Sequence, residues 1–143
     1  GGAISSGAGI LASQILGADF AYMGTTFISS KESMAKPEYK AMLVDSVAKD
    51  IINTDAFTGI ANNILRPSIE KAGFDPDNIP SSAKSKLDFD DPHNGAKAWR
   101  DIWSAGHGVG EVKEILTVKE IVASLTTQYR QTLQKHIINR SFT

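Results

Sequence analysis

Cysteine is absent from the 143-residue chain. That excludes a disulfide scaffold and thiolate chemistry, and it fits a reducing compartment, so the cytoplasm is the expected location. Histidine is scarce, with only three copies. No apolar run reaches the length of a membrane span, and no charged-then-apolar signal segment opens the chain. Neither charge sign dominates: 15 Lys and Arg stand against 16 Asp and Glu, a formal net charge of −1. There is thus no electrostatic footprint for nucleic acid. No internal repeat and no block of like charges occurs; Lys84 and Lys86 sit among neutral residues. These absences lead to the expectation of no nucleic-acid partner, no membrane partner and no metal site.

What is present suits a globular domain with a sizeable core: 41% hydrophobic and 22% charged residues. Ser5 and Ser6 can cap a helix starting near Gly7, with Ile10, Leu11, Ile15 and Leu16 at helical spacing and Gly17 placed to end it. Phe20–Met23 is short and continuously apolar, which predicts a buried parallel strand stopping at Gly24-Thr25-Thr26. Loop, helix, strand and glycine turn together make the second half of a βαβ unit. Ser29-Ser30-Lys31-Glu32 suits a short helical turn. Pro37 suits the first turn of a helix carrying Tyr39, Met42, Leu43 and Val47. Ile51–Thr54 reads as a short strand, and Ala61–Ala72 as a helix interrupted or kinked at Pro67. Gly73–Gly95 predicts a long surface connection, with turn chemistry at Asp75-Pro76-Asp77-Asn78. Thr117 and Glu120 form a capping box. After it, Val118, Ile121, Val122, Leu125, Tyr129, Leu133 and Ile137 make one apolar stripe. A helix over that span is about 30 Å long.

Two glycine turns, Gly1-Gly2 and Gly24-Thr25, sit where strands of a parallel sheet would end. A phosphate needs several N–H donors converging on one point, and glycine keeps side chains out of the way. A helix N-terminus, here at Gly7, adds free donors, and Thr25 adds a hydroxyl. In a (β/α)8 barrel, phosphate binds at the loops after strands seven and eight. The plainer alternative stays open: glycine often simply terminates a strand. Ser104-Ala105-Gly106-His107-Gly108-Val109-Gly110 is a second glycine cluster, preceded by Trp99 and Trp103. It either lets backbone lie close to a flat ligand, with His107 donating to a ring heteroatom or moving a proton, or it is a tight loop with His107 facing solvent. Asp88, Asp90, Asp91 and His93 match no closed zinc spacing and read as solvated. His136 lies near a helix end, where a cation is mildly favourable. No Ser/His/Asp arrangement and no P-loop is legible.

At these motifs the chain resembles the nitronate monooxygenases, formerly called 2-nitropropane dioxygenases. The likeness rests on Gly1-Gly2-Ala3-Ile4, on Gly17-Ala18-Asp19 leading into Tyr22-Met23-Gly24-Thr25, and on Asp101-Ile102-Trp103-Ser104-Ala105-Gly106-His107-Gly108-Val109-Gly110. Thr58-Gly59-Ile60-Ala61-Asn62 through Leu65-Arg66-Pro67-Ser68-Ile69 also looks like the family's segment after the last barrel strand. The resemblance spans nearly the whole chain and implies an FMN-dependent (β/α)8 barrel. It places Gly1, Gly2, Tyr22, Met23, Gly24 and Thr25 at the FMN phosphate, and Gly106 and His107 near the flavin. Thr26 stands where the family often has Arg, and His107 where it usually has Gln.

The resemblance further implies an α/β fold forming the C-terminal portion of the barrel: its last strand plus a mostly helical region. Residues 1–28 would end the barrel and carry the phosphate loops. Residues 29–98 would form a mostly helical, substrate-side region with a long loop, and 99–143 the flavin-side loop and final helix. Family members carry seven strands, part of the FMN site and a catalytic histidine upstream of the double glycine. A barrel takes about 250 residues. The chain is therefore expected to be part of a longer enzyme and inactive unless an N-terminal barrel portion completes it. None of its histidines is assigned as the base. The implied substrates are an alkyl nitronate and O2. Two alternatives stay open: a barrel like a flavin-dependent enoyl-acyl-carrier-protein reductase, and a non-catalytic helical module docking through the Val118–Ile137 stripe. A metal-dependent aldolase-type barrel is disfavoured by the lack of ligand clusters.

Overall fold

A computed structural model describes residues 1–79 and 101–140. Ser6, extended at φ −139°, caps α1 (Gly7–Ile15), its hydroxyl accepting from Gly9 N–H at 3.1 Å. Gly17, at φ +96°, turns the chain out of the helix as its sequence position predicts. Phe20–Met23 departs from expectation. It forms no strand, and Phe20 and Tyr22 are 93% and 80% exposed. A strand exists through its ladder, and among the described residues no segment pairs with this one. The last barrel strand read from the sequence is thus an irregular segment here, without a strand partner among the described residues.

The helical turn expected at Ser29–Glu32 comes one turn earlier, as α2 (Thr25–Ile28). The turn that follows is held by side chains. The Ser29 hydroxyl donates to the Thr26 carbonyl at 2.8 Å and the Ser33 hydroxyl to Ile28 at 2.6 Å. The buried Lys40 ammonium donates to the carbonyls of Lys31 and Ser33, fastening this turn to α3 (Pro37–Asp45). Pro37 occupies the first turn of α3, where its missing N–H is harmless. Leu43 is fully buried, whereas Val47, expected on this helix, lies past its end and is exposed.

Strand β1 (Ile51–Thr54) forms as predicted and pairs antiparallel with β2 (Asn62–Leu65), with Ile51 opposite Leu65 and Ile52 opposite Ile64. The helix expected over Ala61–Ala72 is therefore half strand; only α4 (Arg66–Lys71) is helical. Pro67 falls in the first turn of α4 rather than its middle, so it opens the helix instead of breaking it. The Asp75–Asn78 turn forms, with Asp75 accepting from Asp77 N–H at 2.9 Å. Arg66 clamps Asp77 at 2.6 and 3.1 Å. The rest of the predicted surface connection, with His93, Asp88, Asp90, Asp91, Lys84 and Lys86, lies outside the described residues, as does Trp99.

Residues 102–105 run beside β2: Leu65 N–H donates to the Trp103 carbonyl at 2.8 Å and Ala105 N–H to Asn63 at 3.3 Å. Because side chains alternate along extended backbone, this small sheet has two apolar faces. Leu65, Trp103 and Ala105 pack with Leu43, Val109 and Val112 on one side. Ile64 and Ile102 pack with Phe57 and Ile69 on the other. Burial of each large aliphatic side chain contributes about 1.5–3 kcal/mol.

The capping box opens α5 (Val118–Arg140): Thr117 N–H donates to Glu120 Oε2 at 2.7 Å, and Glu120 N–H to Thr117 Oγ1 at 3.2 Å. Of the predicted stripe, Ile121 is buried and Leu125, Tyr129 and Leu133 are half-buried, but Val118 and Val122 face solvent. Among the described residues no helix is long and apolar enough to cross a membrane. The stripe packs on α1, and at Gly7 the two backbones touch. A Cβ there would stand 2.2 Å from the Leu125 carbonyl oxygen and 2.3 Å from Tyr129 N. Neither atom can rotate away, so Gly7→Ala is expected to cost about 2–3 kcal/mol. The readout is a lower urea midpoint; an unchanged midpoint would show that the helices do not meet there.

Candidate functional site

Three main-chain segments converge on one cavity of about 190 Å³. The first is the turn at Gly2–Ser5. Gly2 has φ +87° and Ala3 φ +53°, two successive left-handed residues. For alanine that conformation costs about 1–2 kcal/mol, and such strain concentrates where function demands a particular backbone path. The second segment is Tyr22–Thr26. The Cβ position of Gly1 lies 3.4 Å from Tyr22 Cβ, so the two glycine turns are neighbours. The third is Gly106–Gly108. Gly106 N–H donates to Thr25 Oγ1 at 2.8 Å, which leaves the Thr25 hydroxyl hydrogen available to donate elsewhere. A Cβ on Gly108 would sit 2.8 Å from Ser5 Oγ, so only glycine lets this loop close on the first turn.

Of the residues singled out in the sequence, Gly2, Tyr22, Gly24, Thr25 and Gly106 share the wall of this cavity. Gly1 packs beside it against Tyr22. Met23 is half-buried and off the wall, and His107 is exposed at the start of a 3-10 turn, His107–Glu111. Thr26, standing where the resemblance expects Arg, also lines the wall, as does Ser5, which was read only as a helix cap. The signal for Ser5 was its doublet with Ser6: one helix needs one cap, and Ser6 provides it. The helix donors expected from α1 are largely taken. Gly7 N–H donates to Gln128 Oε1 at 2.9 Å and Gly9 N–H to Ser6 Oγ.

The wall combines main-chain groups and the Ser5, Thr25 and Thr26 hydroxyls with the side chains of Ala3, Ile4 and Tyr22, and among the described residues neither a carboxylate nor a cationic side chain lines it. At Gly2 and Gly24 a Cβ would meet no atom within 4 Å, so both glycines face open space. Such a wall fits a phosphate group, which amides bind without a repelling carboxylate. Among the described residues no group of three or more His, Asp or Glu could hold a metal ion.

The third segment is positioned from behind. Trp103 stacks on Tyr39 with centroids 5.0 Å apart, and Lys71 Nζ lies 5.1 Å from the Trp103 ring centroid. The Tyr39 hydroxyl donates to the Ser104 carbonyl, and burial pushes the phenol up to about 12.

The architecture is α/β and is shared with solved structures. FabK from Thermotoga maritima matches with a TM-score of 0.70 and 26% identity, over 99% of this chain and 46% of that one. A nitroalkane oxidase from Streptomyces ansochromogenes matches with a TM-score of 0.67 and 24% identity, over 94% and 39% of the two chains. The profile of the nitronate monooxygenase family matches residues 1–128, and the chain belongs to that family. A Staphylococcus haemolyticus protein named a probable nitronate monooxygenase is 34% identical over 109 residues, covering 72% of this chain. The chain spans 30% of the length of that relative.

Tyr39 gives this region a pH signature. The unfolded phenol ionises near the ordinary 10.0 and the folded one at about 12, so stability falls as pH climbs between these values. An absorbance titration is expected to show a phenol ionising at about 12 that is missing from Tyr39→Phe. Identical titrations of the two proteins would contradict the burial.

Proposed function

We propose that this chain supplies the FMN phosphate site and flavin-side loop of a (β/α)8 enzyme that oxidises alkyl nitronates with O2 to carbonyl compounds and nitrite. The observation that carries this reading is the cavity where Gly2, Gly24 and Gly106 meet, whose wall holds the Ser5, Thr25 and Thr26 hydroxyls and, among the described residues, no carboxylate. Family membership supports the chemistry. When bound, FMN would supply the electron-accepting chemistry of the reaction. The residues of this chain hold its phosphate: the main chain of Gly2–Ser5 and Gly24–Thr26 surrounds the anion, and Thr25 adds its hydroxyl while anchoring Gly106. With Thr26 in place of a cationic residue, binding depends on amides. His107 serves as a surface residue of the flavin-side loop, and no histidine of this chain acts as the base. The N-terminal barrel portion of the longer enzyme pairs with Phe20–Met23 and brings that base. The exposed Phe20 and Tyr22 favour this, being apolar groups on a segment whose ladder is unfilled. The cytoplasm is the proposed location, a reducing compartment with which a chain lacking cysteine is compatible.

A second reading, a barrel like a flavin-dependent enoyl-acyl-carrier-protein reductase, is favoured by the likeness to FabK. The two are separated in the complete protein by measuring oxygen consumption with an alkyl nitronate against oxidation of NAD(P)H. Nitronate-dependent oxygen uptake with nitrite release is the expected result. Nicotinamide oxidation alone would transfer the assignment to the second reading, and a folded protein that takes up no FMN would defeat both.

His107 provides a separate check, because it lies off the cavity wall. His107→Gln is expected to retain FMN at unchanged stoichiometry, measured as flavin released on denaturation. Loss of the flavin would contradict this placement of the loop.

A further inference from the structure

Behind the phosphate cavity lies a second one of about 230 Å³, and Ser5 and Thr26 belong to both walls. Its far side is α5, through Ser124, Leu125 and Gln128. The Gln128 amide does more than fill space. Its Oε1 accepts from Gly7 N–H at 2.9 Å, and its Nε2 donates to Ser124 Oγ at 3.2 Å, which fixes which way the amide faces. Gly7 is separated from Ser5 by one residue, the N-cap Ser6. Ser5 is itself wedged against Gly108. The α1 and α5 backbones touch at Gly7, so a shift of either helix there must be felt at Ser5.

From these contacts we infer that Gln128 is a positioning residue for phosphate binding: it caps α1 from the C-terminal helix and thereby sets the Gly2–Ser5 turn. The inference rests on the functional reading above. Gln128 touches no ligand in this account and acts through Gly7. It takes up a donor that α1 would otherwise present, so the anion is held by the turn and not by the helix. A second bond between the helices, from the Tyr129 hydroxyl to Gln14 Oε1, lies at the other end of α1 and supplies an internal control.

The test compares FMN with riboflavin, which has the same ring and no phosphate, on the apo form of the complete protein by fluorescence titration. Gln128→Met keeps the bulk of the side chain and removes the acceptor. It is expected to weaken FMN about tenfold, the loss of one hydrogen bond, and to leave riboflavin unchanged. Ser124→Ala, which frees the amide, should show the same split with a smaller loss, and it carries the test if Gln128→Met does not fold. Tyr129→Phe should change neither affinity. Equal weakening of FMN and riboflavin, or no change in FMN, would overturn the positioning role while leaving the functional reading intact. A wild-type protein that binds neither flavin would overturn both.

Discussion

The hydrogen bonds between β2 and residues 102–105 govern where everything else lies. Leu65 N–H to the Trp103 carbonyl, and Ala105 N–H to Asn63, fix the register of an extended segment against a strand far back in the chain. Register decides faces: one step along, and Trp103 and Ile102 would exchange cores. It also decides where the segment ends. Gly106 emerges beside Thr25, 81 positions earlier in sequence, close enough to donate to its hydroxyl. Closing a loop of that length has an entropic cost that grows slowly with length. It is offset by burial of Trp103, its stack on Tyr39 and the aliphatic side chains around it.

The chemistry of the cavity follows from what lines it. Amides and hydroxyls bring partial charges whose positions are set by backbone, so each distortion of the turn changes several donors at once. The left-handed Ala3 and the close approach of Gly108 to Ser5 therefore shape the cavity through the backbone. It also gives α5 a role. A helix whose outer face is largely solvated presses on α1 at Gly7, reaches the turn through Gln128, and backs Ser5 and Thr26 across a second cavity. The cavity is thus bounded in front by glycine turns and braced behind by two helices in backbone contact.

The chain belongs to the nitronate monooxygenase family, and its glycines at positions 2, 24, 106 and 108 line one cavity. Two sets of contacts hold the glycine loop and its surroundings: Tyr39 and Lys71 on the Trp103 ring, and Lys40 on the turn after α2. None of these supporting contacts has a sequence motif. They join residues whose separation in the chain carries no pattern.

The elements legible in the sequence were those decided within a few residues. Ser6 and Gly17 bound α1, Pro37 opens α3, Thr117 and Glu120 start α5, and Ile51–Thr54 is a strand, because caps, fixed φ angles and β-branched side chains act locally. The glycines of the cavity were legible as a group, since side-chain absence is itself written in the sequence. Elements decided by partners were not. Phe20–Met23 has the composition of a strand but no ladder, and Asn62–Leu65 has the composition of a helix start but pairs with β1. Gln128 on Gly7, Thr25 on Gly106 and Tyr39 on Ser104 are long-range contacts, and no periodicity announces them. Sequence alone determined the local bends of this chain and which residues lack a side chain. Tertiary structure decided which of those bends face one another, because that depends on packing two apolar faces of a sheet at once.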